Sequence, residues 1–451
     1  MDAPQPSKME QIKKSGVKAK EAVSNMASNA GKGIMNLLKK SNTTPSPNLT
    51  DLDIQKQKME TQVTFFIFLL LGILVFVGII FVSKTFRVYT TLHRLEIYQS
   101  QDIMQKSIYD IFPINKNKKL RDFYIASAYR PYVCKFHKYD YCSLEVLRQV
   151  LCAGPRMIEL EIFNDSFSLD VEPVVSSGTE EGEWKMAINS LPLPEVLKII
   201  AGTVFNYKYV KDLKKDPFII YLNLKVNRNL KCLEKISKYI FQILGNYLLD
   251  IKYSYNSNTD TSKFNEITLG EVKSKIIIFA SSGFEGTPLE EVVNYSSASD
   301  YTLENNPNQY RILYLKNGDI VEKEEDIEEY SNSNYYKVTK DNLKNYNNCG
   351  FTILSPNESM EDSGFFTGIS PNNPEPTKAL ESGCQFIMMN YQLIDTNMSN
   401  YAYIFKDSSF VEKVDKLNNS NTCDRKFSSV KTEKIKHTNK EVVYTYVTEN
   451  K

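Results

Sequence analysis

Two acidic residues, Glu159 and Glu161, stand two positions apart in the segment PRMIELEIFND at residues 155–165. They alternate with apolar residues, a pattern that predicts a strand with one buried face and both acids on the other. Acids at the end of a buried strand can hold a cation, orient a base, or pair with a nearby arginine. The first two uses would indicate an enzyme, and the third a structural ion pair.

The number and the positions of the histidines and cysteines limit the chemistry that the chain can do. It contains three histidines, His93, His137 and His437, so none lies between residues 138 and 436. Its seven cysteines form no CxxC pair and no metal-ligand spacing, which argues against a zinc site and against a disulfide framework. The formal net charge of +1 gives no field that would attract nucleic acid, and we expect no nucleic-acid partner.

Short apolar runs predict the elements that carry the two acids. Eight such runs with interposed helices predict an α/β fold, a (β/α)8 barrel of the TIM type, whose active sites lie at the carboxyl ends of the strands. Glu159 and Glu161 would then lie at the mouth of the barrel. The candidate strands are 123–128, 157–163, 169–175, 218–226, 275–281, 351–354, 385–392 and 401–406, and the main helix-like stretches are 143–153, 192–202 and 229–249.

Residues 61–83 carry no charged side chain and read TQVTFFIFLLLGILVFVGIIFVS. About 20 apolar residues in a helix span the hydrocarbon core of a bilayer, and this segment starts too far from the N-terminus to be a cleavable signal peptide. We therefore predict a single-pass transmembrane helix. The sixty residues before it carry ten lysines and six acids, which favours a cytosolic N-terminus with the barrel across the membrane, whereas Lys84, Arg87 and Arg94 favour the reverse.

The composition divides the chain into five segments. The first, residues 1–60, is basic and contains VSNMASNAGKGIMNLLKK, which can form an amphipathic helix on a membrane or partner, or stay disordered. In the last, KEVVYTYVTENK is strand-like and can pair with a sheet edge or stay disordered. The last segment is the tail at 411–451, and the three between are the span at 61–83, a juxtamembrane helix or linker at 84–120, and the barrel at 121–410 with an acidic insertion at about 302–345.

Several of these segments, in this order, resemble the two halves of the catalytic barrel of phosphoinositide-specific phospholipase C. Those that resemble the X half are FYIASAYRPYV, CSLEVLRQVLCAGPRMIELEIFND, EPVV, PFIIYLNLKV and GEVKSKIIIFAS. Those that resemble the Y half are LEEVVNYSSA, NNCGFTILSP, NNPEPTKALESGCQFIMMNYQ and NYAYIFKDSSF. The resemblance covers roughly residues 121–410, and SGCQFIMMNYQ is its most specific segment.

The resemblance implies phosphodiester cleavage, in which an inositol hydroxyl attacks phosphorus. One histidine does general acid/base work, a second stabilises the charged transition state, and calcium lowers the hydroxyl pKa in the eukaryotic enzymes. In this chain the two histidine positions hold Tyr129 and Thr179, so no intact catalytic residue is predicted. The calcium-ligand positions hold Arg130, Glu159, Glu161 and Asn223, of which Glu159 alone is retained and Glu161 is a longer version of an aspartate.

These departures favour a catalytically inactive barrel with a structural or interaction role. We expect Arg130 to replace the metal and to pair with Glu159 or Glu161, much as an arginine replaces calcium in bacterial relatives. No cofactor is expected, and calcium would bind only if the Glu159 and Glu161 site is functional. Two alternatives stay open: a phosphoric diester hydrolase that uses Arg130, Tyr129 and Glu159, and a non-catalytic binder of lipid headgroups through Arg130.

The expected partners are the lipid bilayer, in which the chain is integral, and proteins that bind the barrel or the N-terminal segment. Heavy use of Asn, Lys, Ile and Tyr is typical of an AT-rich genome. Together with the basic tail, the single span and the degraded barrel, this composition would suit a structural membrane protein of a large DNA virus or a protist.

Overall fold

The computed structural model divides into two compact units, Met1–Phe86 and Arg87–Lys451. The amphipathic segment predicted within the first sixty residues and most of the acidic insertion lie outside the residues that it describes. Those residues are 51–111, 117–165, 171–178, 184–257, 262–297, 312–322, 338–348, 350–357, 370–413, 430–437 and 440–447, together with Lys32.

Helix α1 (Asp51–Ser100) contains the predicted span and extends beyond it at both ends. From Val63 to Phe86 its large apolar side chains other than Phe68 are exposed, for example Phe65 and Phe81 at 59% and 69%. Exposed apolar side chains over this length are unusual for a helix surrounded by water. By length and composition the helix can cross a membrane.

The last part of α1, from Arg87 onward, has one buried face. Thr91, Leu95 and Tyr98 are buried at intervals of four and three residues, which is the spacing of side chains along one side of a helix. The Tyr98 hydroxyl also donates a hydrogen bond to the carbonyl oxygen of Tyr391, at 3.2 Å. This part of α1 therefore belongs to the barrel unit, within the range 84–120 for which the sequence predicts a juxtamembrane helix or linker.

The remaining strands and helices follow α1 in the second unit. The strands are β1 (Phe123–Ala128), β2 (Met157–Asn164), β3 (Pro173–Val175), β4 (Leu191–Pro192), β5 (Phe218–Lys225), β6 (Ile276–Ser281), β7 (Tyr295–Ser297), β8 (Leu313–Lys316), β9 (Ile320–Val321), β10 (Val338–Thr339), β11 (Thr352–Ser355), β12 (Phe386–Met389), β13 (Phe410–Glu412), β14 (Val430–His437) and β15 (Lys440–Val447). The helices are α2 (Ile108–Ile111), α3 (Leu144–Cys152), α4 (Leu193–Thr203), α5 (Tyr207–Val210), α6 (Leu230–Leu244), α7 (Ser262–Asn265), α8 (Leu269–Val272), α9 (Lys340–Asn347), α10 (Pro376–Glu381) and α11 (Thr396–Ile404).

Eight parallel strands form a nearly closed barrel, in the order β1, β2, β5, β6, β7, β8, β11, β12. The ring is completed between β12 and β1, which pair in parallel. Between β7 and β8 the contact is a single bridge from Ser297 to Ile312, with the Ile312 N–H donating to the Ser296 carbonyl at 3.0 Å. The predicted (β/α)8 fold is confirmed.

Two of the predicted strands are not barrel strands, and two barrel strands were not predicted. Residues 169–175 end in β3, which runs antiparallel to β2, and residues 401–406 begin in helix α11. There Tyr401 and Phe405 are both buried four residues apart, which is a helical spacing. Strands β7 and β8 complete the barrel instead, and β8 lies inside the range assigned to the acidic insertion. The strand-like tail segment forms β15, which pairs antiparallel with β14.

Both faces of the longer barrel strands are mostly buried, which explains their apolar runs. On β5, Ile219 and Tyr221 belong to the cluster that fills the barrel, whereas Ile220 and Leu222 belong to the cluster between the barrel and its helices. Each fully buried side chain of this size contributes about 1.5–3 kcal/mol relative to an exposed one. The inner positions near the carboxyl end of β2, next to β5, are taken by acids instead.

A buried acid lies at the opposite, amino-terminal end of the barrel. Asp216 immediately precedes β5 and is fully buried, and the Ser107 hydroxyl donates to its Oδ1 at 2.5 Å. Burial raises the pKa of Asp216 to about 7, although the nearby Arg156 and the Ser107 hydroxyl oppose the shift. Burial also lowers the pKa of Arg156 to about 10, against the opposing charge of Asp216. This cluster attaches the segment after α1 to the base of the barrel.

Replacing Asp216 by asparagine is expected to weaken the pH dependence of stability. The pKa of Asp216 is about 7 in the folded chain, against about 4 for an unperturbed aspartate, so the folded state binds the proton more tightly. The neutral carboxyl favours folding below about pH 4, and this contribution of about 2–4 kcal/mol is lost as the pH rises to about 7. Denaturant unfolding of the full-length chain at about pH 5 and about pH 8 measures the difference.

The control for this variant is Asp110→Asn, because Asp110 is an exposed acid of the same region that pairs with Lys215. It is expected to keep the pH dependence of the wild-type chain. An Asp216→Asn variant whose stability falls with pH as steeply as the wild type would show that a different group titrates.

Candidate functional site

The predicted acids lie inside the carboxyl end of β2, next to β5. Glu159 and Glu161 are 0% and 1% exposed, and their β5 neighbours in register are Tyr221 and Asn223. Two carboxylates in such a place need strong hydrogen-bond donors, because an unpaired buried charge costs several kcal/mol. The partners of the two glutamates therefore decide what the site can do.

Glu161 is paired with Arg130, the first residue of the loop that follows Tyr129 at the end of β1. The guanidinium Nη2 donates to Glu161 Oε1 at 2.7 Å, and both side chains are at most 2% exposed. Nη1 donates to Ser177 Oγ at 3.0 Å, and the Gly178 N–H donates to Glu161 Oε2 at 3.0 Å. Both oxygens of Glu161 are thus hydrogen-bonded within the protein, and the pair is a buried, charge-assisted one.

Glu159 is held by neutral donors. Asn223 Nδ2 donates to Glu159 Oε1 at 2.8 Å, and the Tyr314 hydroxyl donates to the same oxygen at 3.4 Å. The Tyr314 ring stacks on that of Tyr221, with centroids 5.3 Å apart. Burial raises the pKa of both phenols well above the usual value, and the Glu159 carboxylate adds to the shift. Neither phenol can act as a base near neutral pH.

Tyr129 lies between a cation and an imidazole. Its ring is 4.8 Å from the Arg130 guanidinium and stacks on the His137 ring, with centroids 5.1 Å apart and planes 14° from parallel. His137 is 1% exposed. The sequence interpretation did not place His137 at the mouth. The signal that could have placed it there is its position in the loop between β1 and α3, since such loops lie at the active-site end of a barrel.

Of the residues predicted for the site, the structure brings together Tyr129, Arg130, Glu159, Glu161 and Asn223 through direct contacts or neighbouring strands. Thr179, the residue at the second histidine position, lies outside the described residues. Tyr314 is a site residue that the sequence interpretation missed, because β8 falls within the range assigned to the acidic insertion. The mouth is thus more aromatic than its sequence motifs indicate.

The oxygen atoms available at this site fit a calcium ion poorly. Calcium prefers about six to eight oxygen ligands. Here the oxygens of Glu161 already accept from Arg130 and Gly178, and Oε1 of Glu159 accepts from Asn223. Within the described ranges, no group of three or more His, Cys, Asp or Glu side chains could hold a metal ion. The guanidinium of Arg130 supplies the positive charge that compensates Glu161.

Replacing Asn223 by aspartate puts a carboxylate at a position that the resemblance aligns with a calcium ligand, and we expect it to destabilise the barrel by roughly 2–3 kcal/mol at neutral pH. The new carboxylate would face Glu159 across the 2.8 Å that the amide now spans, and two carboxylates so close cannot both be ionised. The pKa of the pair rises, so the loss of stability is present at high pH and recedes toward about pH 5. Thermal unfolding at both pH values measures it.

The variant Asn223→Ser is the matched control, because it removes the same donor without adding a charge. We expect it to lose a similar amount of stability at both pH values. An Asn223→Asp variant that calcium stabilises at neutral pH would instead show that the mouth can hold a divalent cation.

Comparison with known proteins agrees with the barrel fold. Residues 116–282 match the family model of the phosphatidylinositol-specific phospholipase C X domain, which confirms the predicted resemblance. No curated protein sequence matches the chain significantly. Similar solved structures include L. pealei PLC21 at 16% identity and S. officinalis PLC21 at 17% identity, both with a TM-score of 0.49 and 68% of this chain covered.

The chain spans about two fifths of the length of these two relatives, at 38% and 39% of their chains. A smaller solved structure is the calcium-dependent phosphoinositol-specific phospholipase C from a Pseudomonas species, at 10% identity and a TM-score of 0.36. That alignment covers 64% of this chain and 95% of the bacterial one. At such identities a likeness concerns the fold alone.

Proposed function

We propose that this chain, whose residues 116–282 match a phosphatidylinositol-specific phospholipase C X domain, is a single-pass membrane protein with a catalytically inactive barrel. The barrel serves as a structural or interaction module, and α1 anchors it in the bilayer. The heavy use of Asn, Lys, Ile and Tyr is typical of an AT-rich genome and suits a structural membrane protein of a large DNA virus or a protist.

The observation that carries the proposal is the buried pair of Arg130 and Glu161. Because the Arg130 guanidinium lies 2.7 Å from Glu161, the Glu161 carboxylate has no role as a cation ligand or as a base. Ser177 and Gly178 complete the hydrogen bonds of the pair. The same pairing argues against a headgroup reader, because the guanidinium is already bonded to an acid inside the protein.

The placement of the histidines is the second support. His93 lies on the exposed face of α1 beside Glu96, and His437 ends β14 in a separate two-stranded sheet. His137 is therefore the one imidazole that the described residues bring to Tyr129. It favours the catalytic alternative more than any other residue, but one buried imidazole cannot supply the two-histidine mechanism that the resemblance implies.

Membrane anchoring rests on α1. Its exposed apolar residues between Val63 and Val82 match the thickness of a bilayer core, and Phe86 and Tyr89 follow as exposed aromatic residues. Aromatic residues at this position are typical of the membrane–water interface. The lysine excess before the span favours a cytosolic N-terminus, with the barrel on the opposite side.

The proposal is tested with the full-length chain in vesicles that contain phosphatidylinositol and its phosphorylated forms. We expect no more water-soluble inositol phosphate than from vesicles without protein, whether calcium or a chelator is present. Turnover that Glu159→Gln abolishes in a folded variant would overturn the proposal in favour of a hydrolase. Saturable binding of the soluble headgroup without turnover would overturn it in favour of a headgroup reader.

A further inference from the structure

The loop at residues 131–142, between β1 and α3, covers the mouth of the barrel, and we call it the mouth loop. The Tyr132 hydroxyl donates to the Ser176 carbonyl at 2.8 Å. The Gln392 amide donates to the Val133 carbonyl at 2.8 Å, from just beyond the end of β12. The mouth loop is thus tied to two sides of the barrel, with Arg130 at its start.

The tip of the mouth loop is organised by Asp140. This side chain is fully buried, and its carboxylate accepts hydrogen bonds from three backbone N–H groups. The donors are Lys135 at 3.1 Å, Phe136 at 3.0 Å and Tyr141 at 2.8 Å. Backbone donors hold the carboxylate in place but do not cancel its charge. A buried carboxylate of this kind is more stable in water than in the protein interior unless a cation compensates its charge.

The compensating cation comes from α1. Arg87 Nη1 lies 3.3 Å from Asp140 Oδ2, and the guanidinium carbon lies 5.4 Å from the centroid of the Phe136 ring. One turn further along α1, the Thr91 hydroxyl donates to the Cys134 carbonyl at 3.1 Å. The helix that carries the apolar span therefore touches the mouth loop directly, at the loop's single buried acid.

Two residues of this region have a backbone conformation that side chains disfavour. Arg130 has φ +40° and Tyr139 has φ +58°, both in the left-handed region. Such conformations persist only where the surrounding contacts enforce them. Tyr132 and Val133 stay tied to the barrel, so the tip that can move is residues 135–141, and relaxation of Tyr139 would let it move without disturbing β1 or α3.

We propose that Arg87 is a latch that keeps the mouth loop closed. When Arg87 leaves Asp140, the buried carboxylate is uncompensated, the tip at 135–141 moves into solvent, and the strained Tyr139 relaxes. Opening exposes Tyr129 and His137. Access to the mouth then depends on how the last part of α1 is placed against the barrel. The proposal concerns access alone and holds whether or not the barrel is catalytic.

The test is hydrogen exchange of the full-length chain in lipid nanodiscs, followed by mass spectrometry. We expect Arg87→Ala to speed exchange of the amides at 135–141 by about tenfold or more, with no change at 219–222 or 277–280 in β5 and β6. The control is Arg94→Ala, an exposed arginine two turns further along the same helix, which should change nothing. In a chain that already carries Asp140→Asn, Arg87→Ala should have a smaller effect, because the charge it compensates is gone.

A second readout is modification of histidine by diethylpyrocarbonate. His93 is exposed and serves as the reference, whereas His137 is 1% exposed. We expect His137 to be protected in the wild-type chain and in Arg94→Ala, and to react in Arg87→Ala. Unchanged exchange and unchanged protection of His137 in Arg87→Ala would overturn the proposal. Faster exchange throughout the barrel would overturn it too, because Arg87 would then support the whole fold.

Discussion

Replacing Arg130 by methionine is expected to lower the free energy of unfolding by about 3–5 kcal/mol. The substitution removes a guanidinium 2.7 Å from Glu161 and leaves a carboxylate that is 1% exposed without its cation. The double variant Arg130→Met/Glu161→Gln removes both charges, and we expect it to recover much of the loss, because a buried ion pair adds little net stability over neutral groups of similar volume. Denaturant unfolding of the full-length chain in detergent micelles measures both variants.

The matched control is Lys198→Ala, which breaks the exposed pair of Lys198 and Glu195 on α4. Pairs of this kind contribute little to stability, so no measurable change is expected. If Arg130→Met costs no more than Lys198→Ala, Glu161 does not depend on the guanidinium, and the structural ion pair would be the wrong interpretation.

Removal of the last part of α1 is expected to abolish folding of the barrel. A chain that starts at residue 112 loses four buried apolar side chains, Leu95, Tyr98, Met104 and Ile108, each at most 3% exposed. At about 1.5–3 kcal/mol for each, this loss is comparable with the whole stability of an ordinary domain. It also removes the Ser107 hydroxyl from the buried Asp216. Near-ultraviolet circular dichroism and size-exclusion chromatography report whether a packed barrel remains.

A chain that starts at Lys84 is the control, because it lacks the apolar span but keeps every residue of the barrel unit from Arg87 onward. We expect it to fold. If the chain that starts at residue 112 also gives a packed, monomeric barrel, the segment from Arg87 to Ile111 is not part of the core and acts as a linker.

The strands that could be predicted are those with the longest apolar runs. Strands β2, β5 and β6 are six to eight residues long and mostly buried, and most of their residues are apolar, so they stand out in the sequence. Strands β7 and β8 have three and four residues, and their sequences, YSS and LYLK, show no such run. Strands β7 and β8 form because they close the barrel. This pairing joins distant parts of the chain, so no local sequence pattern predicts it.

The candidate site could be predicted in part. The motif positions predict that Arg130 and the two acids lie at one end of the barrel. Because both acids lie on the same strand face, their spacing does not predict which of them Arg130 contacts. That choice is made by Ser177 and Gly178, which bind the guanidinium and the Glu161 carboxylate from β3's side of the mouth. His137 reaches Tyr129 only because the mouth loop folds back over the barrel.

Titration of the full-length chain with calcium, followed by isothermal calorimetry, tests most directly whether Arg130 has taken the place of a metal. We expect no saturable binding that depends on Glu159 or Glu161, because the guanidinium occupies Glu161 and the remaining oxygens are too few for calcium. Stoichiometric calcium binding that is lost in both Glu159→Gln and Glu161→Gln would contradict this view, since it would require Arg130 to leave its partner.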